Sequence, residues 1–212
     1  MKCFSLMLVL VAALMLLAPA TYATPITFEA NLTGALEFPP SGSPATGHAT
    51  VVLDLAANTM EVDVTFSGLL GFTTASHIHC CLASPFATGV NVMVATTIPT
   101  FTGFPLGVQS GTYSHLFDLL DASSYNPAFI ASAFDPLHTV AGAEAALVAG
   151  IEAGETYLNI HTGPPPAGPP PTGFPGGEIR GFLTPVPEPA SLALLTTALA
   201  GFGLIRRRRK TA

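Results

Sequence analysis

The feature that most restricts the fold of this chain is a strict alternation of apolar and polar residues. In the segment TMEVDVTF, Met60, Val62 and Val64 fall on one side of an extended chain, while Glu61 and Asp63 fall on the other. Successive side chains of a β-strand point to opposite faces of the sheet. This period of two therefore predicts a strand with one buried face.

The segment ATVVLDL (49–55) repeats the alternation, and AANT supplies a turn between the two runs. Residues 49–66 are therefore predicted to form a hairpin. Further strands, bounded by glycine and proline, are predicted at 26–34, 74–80, 89–96, 111–119, 156–162 and 177–183.

Two alanine-rich segments, 126–134 and 139–155, have the spacing of short helices instead. About eight strands with turn signals between them indicate an all-β protein. The predicted fold is an antiparallel, Greek-key-like β-sandwich with one or two short crossover helices.

The N-terminus has the organisation of a secretory signal peptide, predicted to span residues 1–23. Lys2 precedes an apolar run (4–18), and small residues lead up to Ala23. This pattern predicts export through the Sec translocon and removal of the peptide. A retained membrane anchor is the alternative.

The C-terminal segment 186–212 contains three parts in order. They are a short motif (Val186, Pro187, Glu188 and Pro189), an uncharged apolar run (190–205) and a basic cluster (Arg206, Arg207, Arg208 and Arg209). The apolar run has the length of a short transmembrane helix, and the arginines are expected to stop on the cytoplasmic side.

This order of parts resembles the PEP-CTERM sorting signal of Gram-negative bacteria. The resemblance implies a transient inner-membrane anchor and cleavage near the motif by a membrane protease, the exosortase. It also implies release to the cell surface or the exopolysaccharide matrix of a biofilm, with exopolysaccharide or other matrix proteins as partners. A plain C-terminal anchor is the alternative.

The charge of the central region differs sharply from that of the ends. Between residues 24 and 186 the only basic residue is Arg180, which stands against twelve acidic residues, so the formal charge is −11 with neutral histidines. Such a charge excludes nucleic acid as a natural partner, because phosphate backbones repel it. It suits a soluble extracellular domain or one that meets divalent cations.

Several segments of the central region together resemble the CHRD domain, which is found in chordin and in many bacterial secreted proteins. They are FEANLTGALEFPP and GHATVVLD near the start, ASHIHCC in the middle, YLNIHT after the helices and FPGGEIRGFL at the end. The resemblance covers nearly all of residues 28–183. It implies an extracellular β-sandwich, placed here at 24–185, without an assigned reaction.

Three histidines are candidate metal ligands. Residues i and i+2 of a strand share a face, so His77 and His79 project together. If their strand pairs with YLNIHT, His161 joins them, and three neutral imidazoles suit zinc or copper. Cys80 or Cys81 offers a thiolate as a further ligand. The alternative is that these histidines only form hydrogen bonds to neighbouring strands and loops.

The adjacent cysteines Cys80 and Cys81 leave three alternatives open in an exported protein. They form a vicinal disulfide, they remain reduced and buried, or they pair with another chain. Glu178 and Arg180 lie two residues apart on the last strand, and a structural ion pair is expected there.

We find none of the sequence motifs of a nucleophile with its base, a zinc protease or a phosphate-binding loop. The sequence thus predicts an exported, non-enzymatic β-sandwich protein without a cofactor, in a structural or adhesive role. The alternative is an exported protein that binds copper or zinc through His77, His79 and His161.

Overall fold

The computed structural model describes residues 24–164 and 173–187. Their strands are β1 (Ile26–Thr33), β2 (Thr46–Asp54), β3 (Thr59–Ser67), β4 (Phe72–His79), β5 (Gly111–Asp118), β6 (Tyr157–Gly163), β7 (Ile179–Phe182) and β8 (Thr184–Pro185). Their helices are α1 (Pro127–Ile130) and α2 (Val140–Glu152), with 3-10 turns at Gly34–Leu36 and Ala122–Ser124.

All the strand pairings are antiparallel, and they join the strands into one sheet. Its order is β4-β6-β7-β1-β2-β3-β5, and β8 pairs with β1. The sheet curls into a half-barrel, so its two halves enclose a core. The predicted fold class, antiparallel all-β with two short helices, is confirmed.

Alternation decides which side chains enter the core. Along β3 the apolar residues predicted to share a face are buried, whereas Glu61 and Thr65 are exposed. The predicted hairpin is β2–β3, in register from Thr46↔Ser67 to Asp54↔Thr59. Ile78, Leu158, Ile160 and Ile179 on β4, β6 and β7 close the core from the other half of the sheet, and Leu147 and Ile151 of α2 cover it.

Both predicted helices form, and side-chain caps mark where they begin. The Asn126 side chain accepts a hydrogen bond from the Ala128 amide before α1. The Thr139 hydroxyl accepts one from the Gly142 amide before α2. Such caps satisfy amides that have no partner within the helix.

The predicted strand at 89–96 is wrong. This segment forms only the isolated bridges His79↔Val94 and Thr96↔Tyr125. Its backbone groups bond to side chains as well as to β4, as when the Val92 amide donates to the Tyr157 hydroxyl. The segment 80–110 therefore runs as a long irregular connection beside β4 and over one face of the sheet.

Several predicted features lie wholly or partly outside the described residues. They are the signal peptide (1–23), most of the sorting segment, including Glu188 and Pro189, the apolar run (190–205) and the basic cluster Arg206–Arg209. Val186 and Pro187 are described, and the Val186 amide donates to the Thr27 carbonyl at 2.8 Å. Among the described helices, none has the length and apolarity needed to span a membrane.

A fully buried carboxylate, Glu178, joins the start of β7 to β6 and to distant loops. Glu178 accepts hydrogen bonds from the Ser43 hydroxyl (2.7 Å), the Thr162 hydroxyl (2.6 Å) and the amides of Leu70 and Gly71. A buried carboxylate is stable only when such donors surround it. Glu178 therefore fixes the start of β7 against β6 and the turn before β4.

We expect Glu178→Gln to lower the free energy of unfolding by about 3 kcal/mol, because the amide turns two N–H donors toward groups that are themselves donors. Urea unfolding measures this loss. The control is Glu61→Gln on the exposed face of β3, expected to change stability by less than about 0.5 kcal/mol. Equal stability of the two variants would show that the Glu178 carboxylate does not hold these loops.

Candidate metal centre

Strands β4 and β6 bring the three predicted histidines together. The two strands pair antiparallel, with His79 opposite Tyr157, His77 opposite Asn159 and His161 opposite Ala75. His161 therefore lies diagonally across from His77, and Ala75 offers only a methyl group beside it. The ring centroids of His77 and His161 are 5.3 Å apart, and those of His79 and His161 are 6.1 Å apart.

Each of the three imidazoles is held by one backbone carbonyl from a loop. His77 Nε2 lies 2.6 Å from the Pro99 oxygen, and His79 Nδ1 lies 2.7 Å from the Val92 oxygen. His161 Nδ1 lies 2.8 Å from the Pro175 oxygen. A carbonyl oxygen can only accept, so in each ring the nitrogen that faces it carries the proton.

The other ring nitrogens are therefore lone-pair donors, and all three are buried without a hydrogen-bond partner. They are His77 Nδ1, His79 Nε2 and His161 Nε2. One ring nitrogen of each histidine lies within 4.8 Å of one from each of the other two. Three buried lone pairs that converge on one point suit a positive ion, since a buried polar atom without a partner is costly.

Burial keeps these imidazoles neutral. It lowers the pKa of both His77 and His79 to about 4, against the opposing effect of their carbonyl partners. Burial also lowers the pKa of His161. Neutral imidazole is the form that binds a metal ion, so the site does not have to lose protons near neutral pH before it can bind.

Two further side chains of β6 border the cluster. The Tyr157 ring stacks on the His79 ring with centroids 4.7 Å apart and an angle of 11°. The Asn159 side chain lies beside both His79 and the carboxyl group of Glu37. Its oxygen Oδ1 is buried without a partner, so Asn159 offers the cluster another acceptor.

The predicted ion pair between Glu178 and Arg180 does not form. Arg180 Nη1 donates to the Val90 carbonyl at 3.1 Å and to Asn91 Oδ1 at 3.0 Å, and its Nε donates to the Leu36 carbonyl. Glu178 precedes the first residue of β7 and finds its donors in β6 and in distant loops. Each charge thus bonds to a separate set of neutral groups, while Arg180 Nη2 is buried without a hydrogen-bond partner.

The charge of Arg180 acts on a second buried acidic side chain, Glu37. Burial raises the pKa of Glu37 to about 7, although the positive charge of Arg180 acts in the opposite direction. Gly177 makes this burial sterically feasible: a Cβ atom there would lie 2.7 Å from Glu37 Oε2. A carboxyl group and a guanidinium are thus buried on the same side of the sheet as the histidines.

Cys80 and Cys81 form a disulfide with each other in the structure, the first of the three alternatives. They do not join the histidines. Cys80 follows His79 and points to the opposite face, where both sulfur atoms approach the Ala146 carbonyl of α2. Gly150 leaves space for them, since a Cβ there would lie 2.5 Å from the Cys80 sulfur.

Some residues of this site could not be identified from the sequence. The alternation in YLNIHT did place Tyr157 and Asn159 on the face of His161, but nothing in the sequence gave them a role. Glu37 lies outside the predicted strands, and Val92 lies in irregular backbone. Side-chain periodicity carries no information in such segments. Only their contacts in the folded chain identify them.

The described fold and site define a class of protein: an antiparallel β-domain with a buried cluster of three neutral histidines. The chain belongs to the CHRD domain family, whose model matches residues 28–183. The PEP-CTERM protein-sorting motif matches residues 185–209. No curated protein and no solved structure matches the chain. Together the two family matches indicate an exported protein that exosortase processes through a membrane-anchored intermediate.

The lowered pKa values predict an acid dependence of stability in the metal-free protein. Between pH 6.5, the ordinary pKa of histidine, and about 4, the unfolded chain binds protons that His77 and His79 in the folded chain do not. The free energy of unfolding therefore falls as the pH drops through this window.

Urea unfolding with a chelator present, from pH 7 to pH 4.5, measures this dependence. Carboxyl groups also contribute to the pH dependence of stability. The wild type is therefore compared with the double variant His77→Gln, His79→Gln. We expect a shallower decline in the variant. Parallel curves for the two proteins would contradict the buried, neutral state of these imidazoles.

Proposed function

We propose that this exported protein binds a transition-metal ion, zinc or copper, through His77, His79 and His161. The observation that carries the proposal is the convergence of three imidazoles, which bring one ring nitrogen each to within 4.8 Å of one another and each have a buried, unpartnered nitrogen. Each opposite ring nitrogen donates to a loop carbonyl. Such hydrogen bonds are the usual outer support of histidine ligands, because they fix the tautomer and the ring orientation.

The donor set favours zinc or copper over other ions. Imidazole nitrogen suits both metals, whereas calcium and magnesium prefer oxygen ligands. Nitrogens that share a tetrahedral zinc ion at about 2.0–2.1 Å lie about 3.4 Å from one another. The three nitrogens therefore need to approach by at most about 1.4 Å, which small rotations of the rings supply. Three protein ligands leave a fourth position for a water molecule or another small ligand.

We propose a binding role for this ion and no reaction. His77 is 6% exposed and His79 is 7% exposed, so loops cover most of the site. Limited access favours an ion that stabilises the domain over one that turns over a substrate. The strongly acidic domain also attracts cations to its surface before they bind.

The proposal includes the destination of the protein. After exosortase cleavage we place it at the cell surface or in the exopolysaccharide matrix, in a structural or adhesive role. The sorting motif supports this destination, and the segment 190–205 would serve as a short membrane helix until cleavage. A domain held together by packing, a disulfide and a metal ion suits long residence outside the cell.

Metal analysis of the protein purified from the periplasm tests the binding. We expect about one zinc or copper ion per chain, and a saturating excess of 100 times Kd should stabilise the fold by about 2.7 kcal/mol. The double variant His77→Ala, His79→Ala should lose both the ion and the stabilisation.

The matched control is His48→Ala, His115→Ala, which removes two strand histidines outside the cluster. It should keep the ion. A wild-type protein free of metal, with melting unchanged by added zinc or copper, would refute the metal-binding proposal.

Mass spectrometry of the form recovered outside the cell tests the sorting. We expect a chain that lacks the apolar run and the arginine cluster, because the exosortase cuts near Pro187–Pro189. Replacing the motif residues Pro187, Glu188 and Pro189 by alanine should leave the chain in the membrane fraction. An extracellular chain that is intact through Ala212 is incompatible with this processing.

A further inference from the structure

We infer that Arg180 is a positioning residue for the metal centre, and that it acts through the loop segment Val90–Val92 on the ligand His79. This inference rests on the proposed metal binding and extends it to residues that do not touch the ion. We call the segment Val90–Val92 the strap.

The strap contacts Arg180 at one end and His79 at the other. Arg180 Nη1 donates to the Val90 carbonyl at 3.1 Å and to Asn91 Oδ1 at 3.0 Å. Asn91 Nδ2 in turn donates to the Phe38 carbonyl at 2.8 Å. The Val92 carbonyl accepts the hydrogen bond that orients His79. Three successive residues therefore link the guanidinium to the ligand.

Tyr157 strengthens this link. Its hydroxyl accepts a hydrogen bond from the Val92 amide at 3.2 Å, so Val92 is held through both its amide and its carbonyl. The Tyr157 ring stacks on His79, and the guanidinium carbon of Arg180 lies 4.6 Å from the centre of the same ring. The imidazole, the phenol and the guanidinium form one packed group.

The strap needs this support because it has no regular backbone ladder of its own. Val90 and Asn91 are exposed, and the segment that follows them forms only isolated bridges among the described residues, His79↔Val94 and Thr96↔Tyr125. Arg180 is fully buried on β7, which pairs with β6 and is therefore rigid. A buried planar cation that donates to several acceptors at once is well suited to hold irregular backbone. This explains why the one basic residue of the domain lies here.

Tyr157→Phe tests the inference, because it removes the Val92 hydrogen bond but keeps the ring. We expect zinc or copper to bind about 10-fold more weakly, the lower end of the range for outer-shell changes. The control is Tyr125→Phe, which also removes one hydrogen bond of a buried phenol, to the Leu119 carbonyl. It should lower the melting temperature by a similar amount and change the metal affinity less than 2-fold.

Asn91→Ala provides a second variant with little risk to folding, since Asn91 is exposed. It should weaken metal binding several-fold, while Asn31→Ala on the exposed side of β1 should not. Competition with a chromophoric chelator measures all affinities. If the wild type binds no metal, the proposed function fails and this inference with it. If the wild type binds but Tyr157→Phe and Asn91→Ala match their controls, only the positioning role of Arg180 and the strap is wrong.

Discussion

The structure depends on how the polar face of β4, β6 and β7 is satisfied. His77, Asn159 and Arg180 lie side by side across these strands and are almost completely buried. Polar groups in such a place must find partners, because burying them alone costs several kcal/mol. Backbone carbonyls of irregular loops accept hydrogen bonds here, that of Pro99 from His77 and that of Val90 from Arg180. The long connection 80–110 is therefore a structural part of the sheet, although it contains no regular strand.

One strand serves two functions through its alternation. Ile78 of β4 faces the apolar core, and Cys80 just beyond the strand packs against α2. His77 and His79 face the loops on the other side. The core and the disulfide thus fix the backbone from one face, while the imidazoles remain free to share an ion on the other. Glu178 fixes the adjacent part of the sheet in the same way, by anchoring the start of β7 to β6 and to the loop that contains Ser43.

Much of this arrangement could be predicted from periodicity, and the rest could not, for physical reasons. Alternation placed His77 with His79, and Tyr157 with His161, on common faces, and it predicted the β2–β3 hairpin. The pairing of β4 with β6 joins residues about eighty positions apart, so the local sequence pattern could not predict it. The approach of His161 to His77 and His79 could therefore only be predicted on the assumption that the two strands pair. The segment 89–96 alternates like a strand, yet its groups bond to side chains and to β4. The prediction of an ion pair between Glu178 and Arg180 was wrong, because each group bonds to neutral partners that are remote in sequence.

A crystal of the zinc-loaded protein would show whether His77, His79 and His161 share one metal ion. An anomalous difference map recorded at the zinc absorption edge locates the ion without assumption about its ligands. We predict a single strong peak within about 2.0–2.1 Å of His77 Nδ1, His79 Nε2 and His161 Nε2. A map with no peak between the three imidazoles, or with zinc only at surface carboxylates, would contradict it.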